Sequence, residues 1–206
     1  MPHPSWDESY ASNHLPWDTG QPEPLLVEFL ASSSLQPGPT LEIGAGTGTN
    51  AIWMAERGFD VLGVDVSPLA VERARAKIEG RALRCRFAAA LDVLVTTLPG
   101  GPFQFVFDRG CFHVFDEPDE RLRFAERVAA ALTPGGLWLS LIGSTEGSPR
   151  EVGPPRRSAA EVTLAIEPAL DIVTLRSAEF NGSNAKAWFC LSRQRTMPAQ
   201  PATRYD

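Results

Sequence analysis

Short apolar runs alternate along this chain with stretches whose apolar residues recur at helical spacing. Thr40–Ile43, Val61–Val64, Arg84–Ala88, Phe103–Asp108 and Leu137–Ile142 read as strands, each bounded by Gly, Pro or acidic residues. Between and around them, Leu25 to Ser33, Asn50–Arg57, Glu117–Leu132 and Ser158–Leu170 carry a helical pattern. A further helix starts at Ser67-Pro68, an N-cap followed by proline at the first helical position, and ends near Gly80. Gly58 is a C′ stop, and Thr133-Pro134-Gly135-Gly136 stops the helix before the fifth strand. Ile172–Phe180 and Lys186–Arg193 then form a closing strand pair around Asn181-Gly182-Ser183-Asn184. Strands alternating with helices predict an α/β fold, a mostly parallel sheet with helices on both faces. The final pair, with no helix between its strands, adds an antiparallel edge.

Three segments fall outside this rhythm. Residues 1–24, rich in Pro, Trp, Asp and His, lack periodicity and are expected to be an arm or lid. Gly143–Arg157 is a long Gly/Pro/Ser-rich loop, a length often tied to function. From Gln194 the chain is polar and Pro-containing, and residues 194–206 are expected to be a disordered tail. Residues 25–193 then make a single domain, which suits a chain of 206 residues.

The most informative stretch is Leu41-Glu42-Ile43-Gly44-Ala45-Gly46-Thr47-Gly48-Thr49-Asn50. An acidic residue near a strand end is followed by three alternating glycines and a helix. Glycine tolerates positive φ and has no Cβ, so such a turn lets backbone approach a ligand closely. The spacing departs from the dinucleotide fingerprint G-x-G-x-x-G/A, because the third glycine comes one residue early and Thr49 stands where it belongs. Asp65 ends the second strand 23 residues after Glu42, where an acidic residue accepts hydrogen bonds from ribose hydroxyls.

E-x-G-x-G-x-G together with Gly63-Val64-Asp65-Val66-Ser67-Pro68 resembles motif I of class I S-adenosylmethionine (SAM) methyltransferases and the segment after it. Phe107-Asp108-Arg109-Gly110-Cys111-Phe112-His113 resembles the motif IV region of the thiopurine and thiol methyltransferase-like branch. Pro16-Trp17-Asp18-Thr19-Gly20-Gln21-Pro22 and Gly153-Pro154-Pro155-Arg156-Arg157-Ser158 are similar to segments of the same branch. The resemblance, from Trp17 to Arg193, implies a Rossmann-like seven-stranded sheet of order 3-2-1-4-5-7-6. It also implies SAM as cofactor, S-adenosylhomocysteine as product and a small-molecule acceptor. At the switch point of that order, between strands one and four, the 44–48 turn and Asp108–His113 should face one crevice.

On that basis the cofactor residues are expected to be Trp17, Glu42, Gly44, Ala45, Gly46, Thr47, Asn50, Asp65, Val66, Ser67, Leu91, Asp92 and Asp108. Asp108 would face the methionine ammonium or hold the nearby loop. The adenine amino group is to be met either by Asp92, one residue later than the family spacing, or by a backbone N–H of Ala90 or Leu91. Trp17 would cover the methionine end, its ring meeting the sulfonium by cation–π attraction. Trp17, Arg109, His113 and Arg156 are the expected acceptor contacts, with Asp108, Arg109 and His113 positioning rather than reacting. For His113 the plainer reading is a structural or solvated histidine; for Arg156 it is a solvated basic pair with Arg157. Cys111 reads as a small packed residue.

Composition narrows this further. The formal charge is −6 with only Lys77 and Lys186 as lysines, against the concentrated positive charge of a general nucleic-acid surface. No apolar run approaches the ~20 residues of a membrane span, and Met1–Asp7 lacks the basic start and apolar core of a signal peptide. Cys85, Cys111 and Cys190 have no metal-ligand spacing, so no metal site is expected and a cytoplasmic protein with free thiols is. A monomer is expected, a dimer remaining open. The reading is methyl transfer to a small molecule, a thiol first, since a thiolate is intrinsically nucleophilic and a pKa of about 8.5 needs only modest lowering. O- or N-methylation, with His113 as base, is the alternative. A non-catalytic SAM- or nucleotide-binding module and an NAD(P) dehydrogenase are more distant ones.

Overall fold

In the computed structural model, residues 6–89, 91–148, 155–181 and 185–196 are described. Their strands form one seven-stranded sheet of order β3-β2-β1-β4-β5-β7-β6. These are β1 (Pro39–Ile43), β2 (Asp60–Val64), β3 (Cys85–Ala88), β4 (Phe103–Arg109), β5 (Leu132–Gly143), β6 (Asp171–Glu179) and β7 (Lys186–Arg193). The first five pair in parallel, whereas β7 runs antiparallel between β5 and β6. The switch from parallel to antiparallel follows from the sequence, because only a short turn joins β6 to β7 and a parallel return needs a crossover.

Side chains alternate across the sheet and build two cores. One face packs against α2 (Pro24–Ser32), α3 (Thr49–Ala55) and α4 (Pro68–Ile78), with Leu26, Phe29, Met54, Val71, Phe105, Phe107 and Leu141 buried. The other packs against α5 (Pro118–Ala131) and α6 (Ala159–Ile166), around Val106, Phe112, Phe124, Val128, Trp138 and Ile166. Strands buried on both sides explain why β1, β2 and β4 read as continuous apolar runs rather than alternating ones.

Three features differ from the sequence expectations. The arm contains a helix, α1 (Trp6–Ala11), which packs on α4 and buries Tyr10. A single short turn with one inward face is too brief to show a period. Helix α5 ends at Ala131, and β5 begins at Leu132 rather than Leu137. Thr133–Gly136, expected as a plain helix stop, instead sits inside the strand as an irregularity in its pairing with β4. There Gly135 N–H donates to the Gln194 carbonyl, and Gln194 N–H donates to the Gly136 carbonyl. Finally, the chain is held past Arg193, so the tail is not loose from Gln194. Gln194 Nε2 donates to the Ala129 carbonyl, and Arg195 bonds Asp171 and the carbonyls of Glu167, Pro168 and Leu170. Residues 197–206 lie outside the described residues, as do Ala90, 149–154 and the centre of the β6–β7 turn at 182–184.

Candidate cofactor and acceptor crevice

The turn after β1 is built as its glycines require. Gly44, Gly46 and Gly48 adopt φ of 68°, 54° and 80°, the left-handed region that side chains disfavour. At Gly48 a Cβ would also lie 2.6 Å from the Phe87 ring. The parallel registers of β1 with β2 and β4 bring Ile43 beside Val64 and Asp108. Asp65 and Asp108, distant in sequence, therefore end their strands on either side of this turn.

Asp65 braces the turn. Its Oδ2 accepts from Gly46 N–H at 2.8 Å and its Oδ1 from Ser67 N–H at 2.9 Å. Burial pushes its pKa up, offset by these same N–H donors. Ser67 Oγ caps α4 by accepting from Ala70 N–H and donates to Asp7 of the arm. Val66 is half exposed. Leu91 N–H donates to the Asp65 carbonyl at 3.3 Å, and Asp92 Oδ1 accepts from Leu94 N–H. Of the three groups expected to meet an adenine, one N–H and one carboxylate thus already hold the local backbone, and Ala90 lies outside the described residues.

The turn, Glu42 and the arm enclose a crevice of about 70 Å³. Its lining includes Tyr10, Trp17, Glu23, Glu42, Gly44 to Thr47, Asn50 and Arg109. Trp17 meets Trp6 and Tyr10 edge to face at 5.5 and 6.3 Å between centroids. Thr47 Oγ1 donates to Asp18 and accepts from Lys77 Nζ. Arg73 holds the arm through the Tyr10 carbonyl at 2.6 Å. A larger groove of about 470 Å³, lined by Asn13, Leu15, Arg73 and Lys77 among others, lies where the arm crosses α4, apart from Gly44 and Gly46.

Glu42 is 2% exposed, and burial raises its pKa to about 8 against the hydrogen bond it accepts from Asn50. Its Oε1 accepts from Asn50 Nδ2 at 3.1 Å, whereas its Oε2 has no partner. Asp108 is fully buried, which lifts its pKa to about 6. Its Oδ1 accepts from the Cys111 and Phe112 N–H groups and its Oδ2 from Trp138 Nε1 at 2.9 Å. Of its two expected roles, facing an ammonium or holding the loop, the bonds formed are those of the second.

A family model described as thiopurine S-methyltransferase matches residues 1–190. The chain belongs to that family. It is accordingly a SAM-dependent methyltransferase, with SAM as cofactor. A probable thiol methyltransferase 2 of Arabidopsis thaliana is 33% identical over 172 residues, covering 82% of this chain and 75% of the relative. A thiocyanate methyltransferase 1 of Brassica oleracea is 30% identical over 155 residues, covering 75% and 67%. A solved structure concerning the conversion of a disulfide bond into a thioacetal group during echinomycin biosynthesis superposes with a TM-score of 0.75. It is 26% identical and covers 87% of this chain and 84% of that one.

On the acceptor side of this methyltransferase the expected residues do not converge. Arg109 lines the crevice, but its Nε donates to Glu23 Oε2 at 2.6 Å, and its terminal nitrogens donate to the Trp17 and Asn181 carbonyls. Its guanidinium stands 4.9 Å from the Phe180 ring centroid. His113, 4% exposed, is absent from the crevice lining. Its Nδ1 accepts from Gly143 N–H at 2.6 Å, which fixes the Nε2–H tautomer of the neutral ring. Arg156 spends its guanidinium on the carbonyls of Ser144, Thr145, Glu146 and Ser148, pinning the start of the loop after β5. Arg157, read as the other half of a solvated pair, is buried and bonds Asp116 and the Phe115 carbonyl. Burial raises the Cys111 thiol well above its ordinary pKa, in keeping with a packed residue.

Tyr10 and Glu23 are among the crevice residues that lay outside the sequence expectations. Tyr10 stands four residues after Trp6, an aromatic pair at helical spacing. Glu23 sits between Pro22 and Pro24, and proline after an acidic residue is a helix-start signal. Among the described residues no group of His, Cys, Asp and Glu is placed to hold a metal, and no helix is long and apolar enough to cross a membrane.

Proposed function

We propose that this methyltransferase acts on a small-molecule thiol, with the crevice around Gly44–Thr47 as the cofactor site. The observation that carries the site is Glu42: a buried carboxyl with one oxygen unpartnered, behind a turn whose alternate residues are glycines at positive φ. Such a group suits a cationic, hydrogen-bond-donating ligand, because a buried polar atom without a partner costs about 1–3 kcal/mol. Trp17, Glu42, Gly44, Ala45, Gly46, Thr47 and Asn50 would hold the methionine half. Asp65, Val66 and Ser67 would hold the ribose, and Leu91 and Asp92 the adenine edge. SAM supplies an electrophilic methyl group on a sulfonium whose departure leaves a neutral thioether.

The chain's own work is positioning and exclusion of water. The arm closes over the crevice through Tyr10, Trp17 and the Asp7–Ser67 bond. A space of about 70 Å³ is far below the ~300–1,000 Å³ of pockets that hold drug-sized ligands. The arm is thus a lid that moves aside to admit cofactor. The described residues expected beside the acceptor are not poised for proton abstraction: His113 Nδ1 is engaged by Gly143, Asp108 by three donors, and Arg109 is ion-paired. A thiol fits this arrangement because it reaches its reactive anion near neutral pH without a dedicated base. The enzyme works as a cytoplasmic monomer.

The test is S-adenosylhomocysteine formation with a panel of thiols, phenols and amines at saturating SAM. Turnover of thiols, faster as their thiolate fraction rises, is expected. Methylation of phenols or amines with none of thiols would overturn the acceptor assignment. Failure to bind SAM at all would overturn the site.

A further inference from the structure

Glu23 is the N-cap residue of α2, yet its side chain makes no capping bond. The carboxylate turns inward instead, 2% exposed, where its Oε2 accepts from Arg109 Nε and its Oε1 has no partner. Glu23 N–H donates to Asn50 Oδ1 at 2.9 Å, and Asn50 Nδ2 donates to Glu42 Oε1. The Asn50 amide therefore bridges the Glu23 backbone and the Glu42 carboxyl, and all three residues line the same crevice; each carboxyl has one oxygen engaged and one bare. Among the described residues lining it the cation is Arg109, whose two terminal nitrogens donate to the Trp17 and Asn181 carbonyls. What would relieve two bare buried oxygens is a compact cation with several N–H donors, and an ammonium group has three.

We propose that Glu23 is a cofactor-binding residue which, with Glu42, receives the α-ammonium of the methionine half of SAM. This rests on the crevice being the cofactor site. Glu23 reaches that position from the junction of the arm with the domain, so it joins the lid to the ligand's charged end. Through Arg109 the same carboxylate ties Trp17 and the β6–β7 turn to that end. Arg109 is then a positioning residue.

Calorimetric binding of two probes to the full chain tests the assignment. S-adenosylhomocysteine carries the ammonium, and 5′-methylthioadenosine keeps the nucleoside and thioether but lacks the amino-acid half. Glu23→Gln preserves an acceptor for Arg109 Nε while removing the charge. It should weaken S-adenosylhomocysteine at least about tenfold, the loss of a charge-assisted bond, and leave methylthioadenosine within about twofold. Unchanged affinity for both, the result if Glu23 only holds Arg109, would overturn the proposal. So would an equal loss for both. Should Glu23→Gln fail to fold, the wild-type protein decides. An S-adenosylhomocysteine analogue with hydrogen in place of the ammonium should bind at least about tenfold more weakly than the parent, and equal binding overturns the proposal. If the wild type binds S-adenosylhomocysteine normally while these discriminations fail, only the role of Glu23 falls. If it binds neither probe, the cofactor site falls with it.

Discussion

The cofactor side and the expected acceptor side of the site were drawn from the same chain but behave differently. On one side Glu42, Gly44–Thr47 and Asn50 converge on one wall, with Asp65 bracing the turn from behind. On the other, Arg109, His113 and Arg156 are spent on an ion pair, a Gly143 N–H and a row of loop carbonyls. The first group is local, with most of its residues in one strand–turn–helix whose geometry the glycines dictate. The second consists of long or bifunctional side chains, and their partners come from remote segments. A guanidinium with five donors is satisfied by whichever carbonyls the fold presents, so its residue type says little about whether it faces solvent, substrate or backbone.

That contrast can be attacked at five points, from the largest expected effect to the smallest. Asp108→Ala strands the Cys111 and Phe112 N–H groups and the Trp138 indole in the core. At about 1–3 kcal/mol for each unsatisfied buried donor, destabilisation by at least about 3 kcal/mol is expected in urea unfolding. A soluble, near-normally stable variant that fails only to bind cofactor would mean that Asp108 belongs to the ligand rather than to the scaffold.

Asp65→Ala removes the acceptor of Gly46 N–H from behind the turn. SAM binding should weaken by about 1–3 kcal/mol, read by calorimetry. Unchanged affinity would detach Asp65 from the cofactor site.

His113→Ala leaves Gly143 N–H unpaired and opens space near Gly110 and Phe180. Stability should fall by about 1–3 kcal/mol, while kcat on acidic thiols stays within about tenfold of wild type. Loss of kcat beyond about 10⁴-fold in a folded variant, the upper range for removing a general base, would restore His113 to the chemistry.

Glu42 predicts a pH signature. Its carboxyl, near pKa 8 when buried and near 4.5 when unfolded, holds a proton in the folded protein that the unfolded chain releases. The ligand-free protein should therefore lose stability as pH rises from about 4.5 towards 8. A cation in the crevice favours the ionised form, so SAM affinity should climb with pH up to about 8, by at most about tenfold per unit, and then level off. Glu42→Gln should flatten both profiles. A wild-type affinity independent of pH between 6 and 8 would contradict this.

Arg156→Ala should matter least. Its carbonyl partners are partly exposed, so a loss under about 1 kcal/mol and a KM within about threefold are expected. A KM rise of more than about tenfold, with the protein intact, would show an acceptor contact absent from the present geometry.

The seven strands, the glycine turn, the Ser67 cap of α4 and the antiparallel edge were legible because each is specified within a few residues. Apolar runs define strands, Gly defines positive φ, and a turn without a helix forbids a parallel return. The closing over of α1, the early irregular entry into β5 and the anchoring of Gln194 and Arg195 were not legible. In each case the deciding bonds join segments far apart in sequence: Asp7 to Ser67, Gly135 to Gln194, Arg195 to Asp171. The same division runs through the site. By itself the sequence determined that a close-approach turn with acidic residues stands at the sheet's switch point, since backbone conformation is a local property. Only the tertiary structure decided which oxygens remained free there. Whether a buried carboxylate is satisfied depends on every donor the fold brings within about 3 Å, and for Glu23 and Glu42 it brought one donor side chain short.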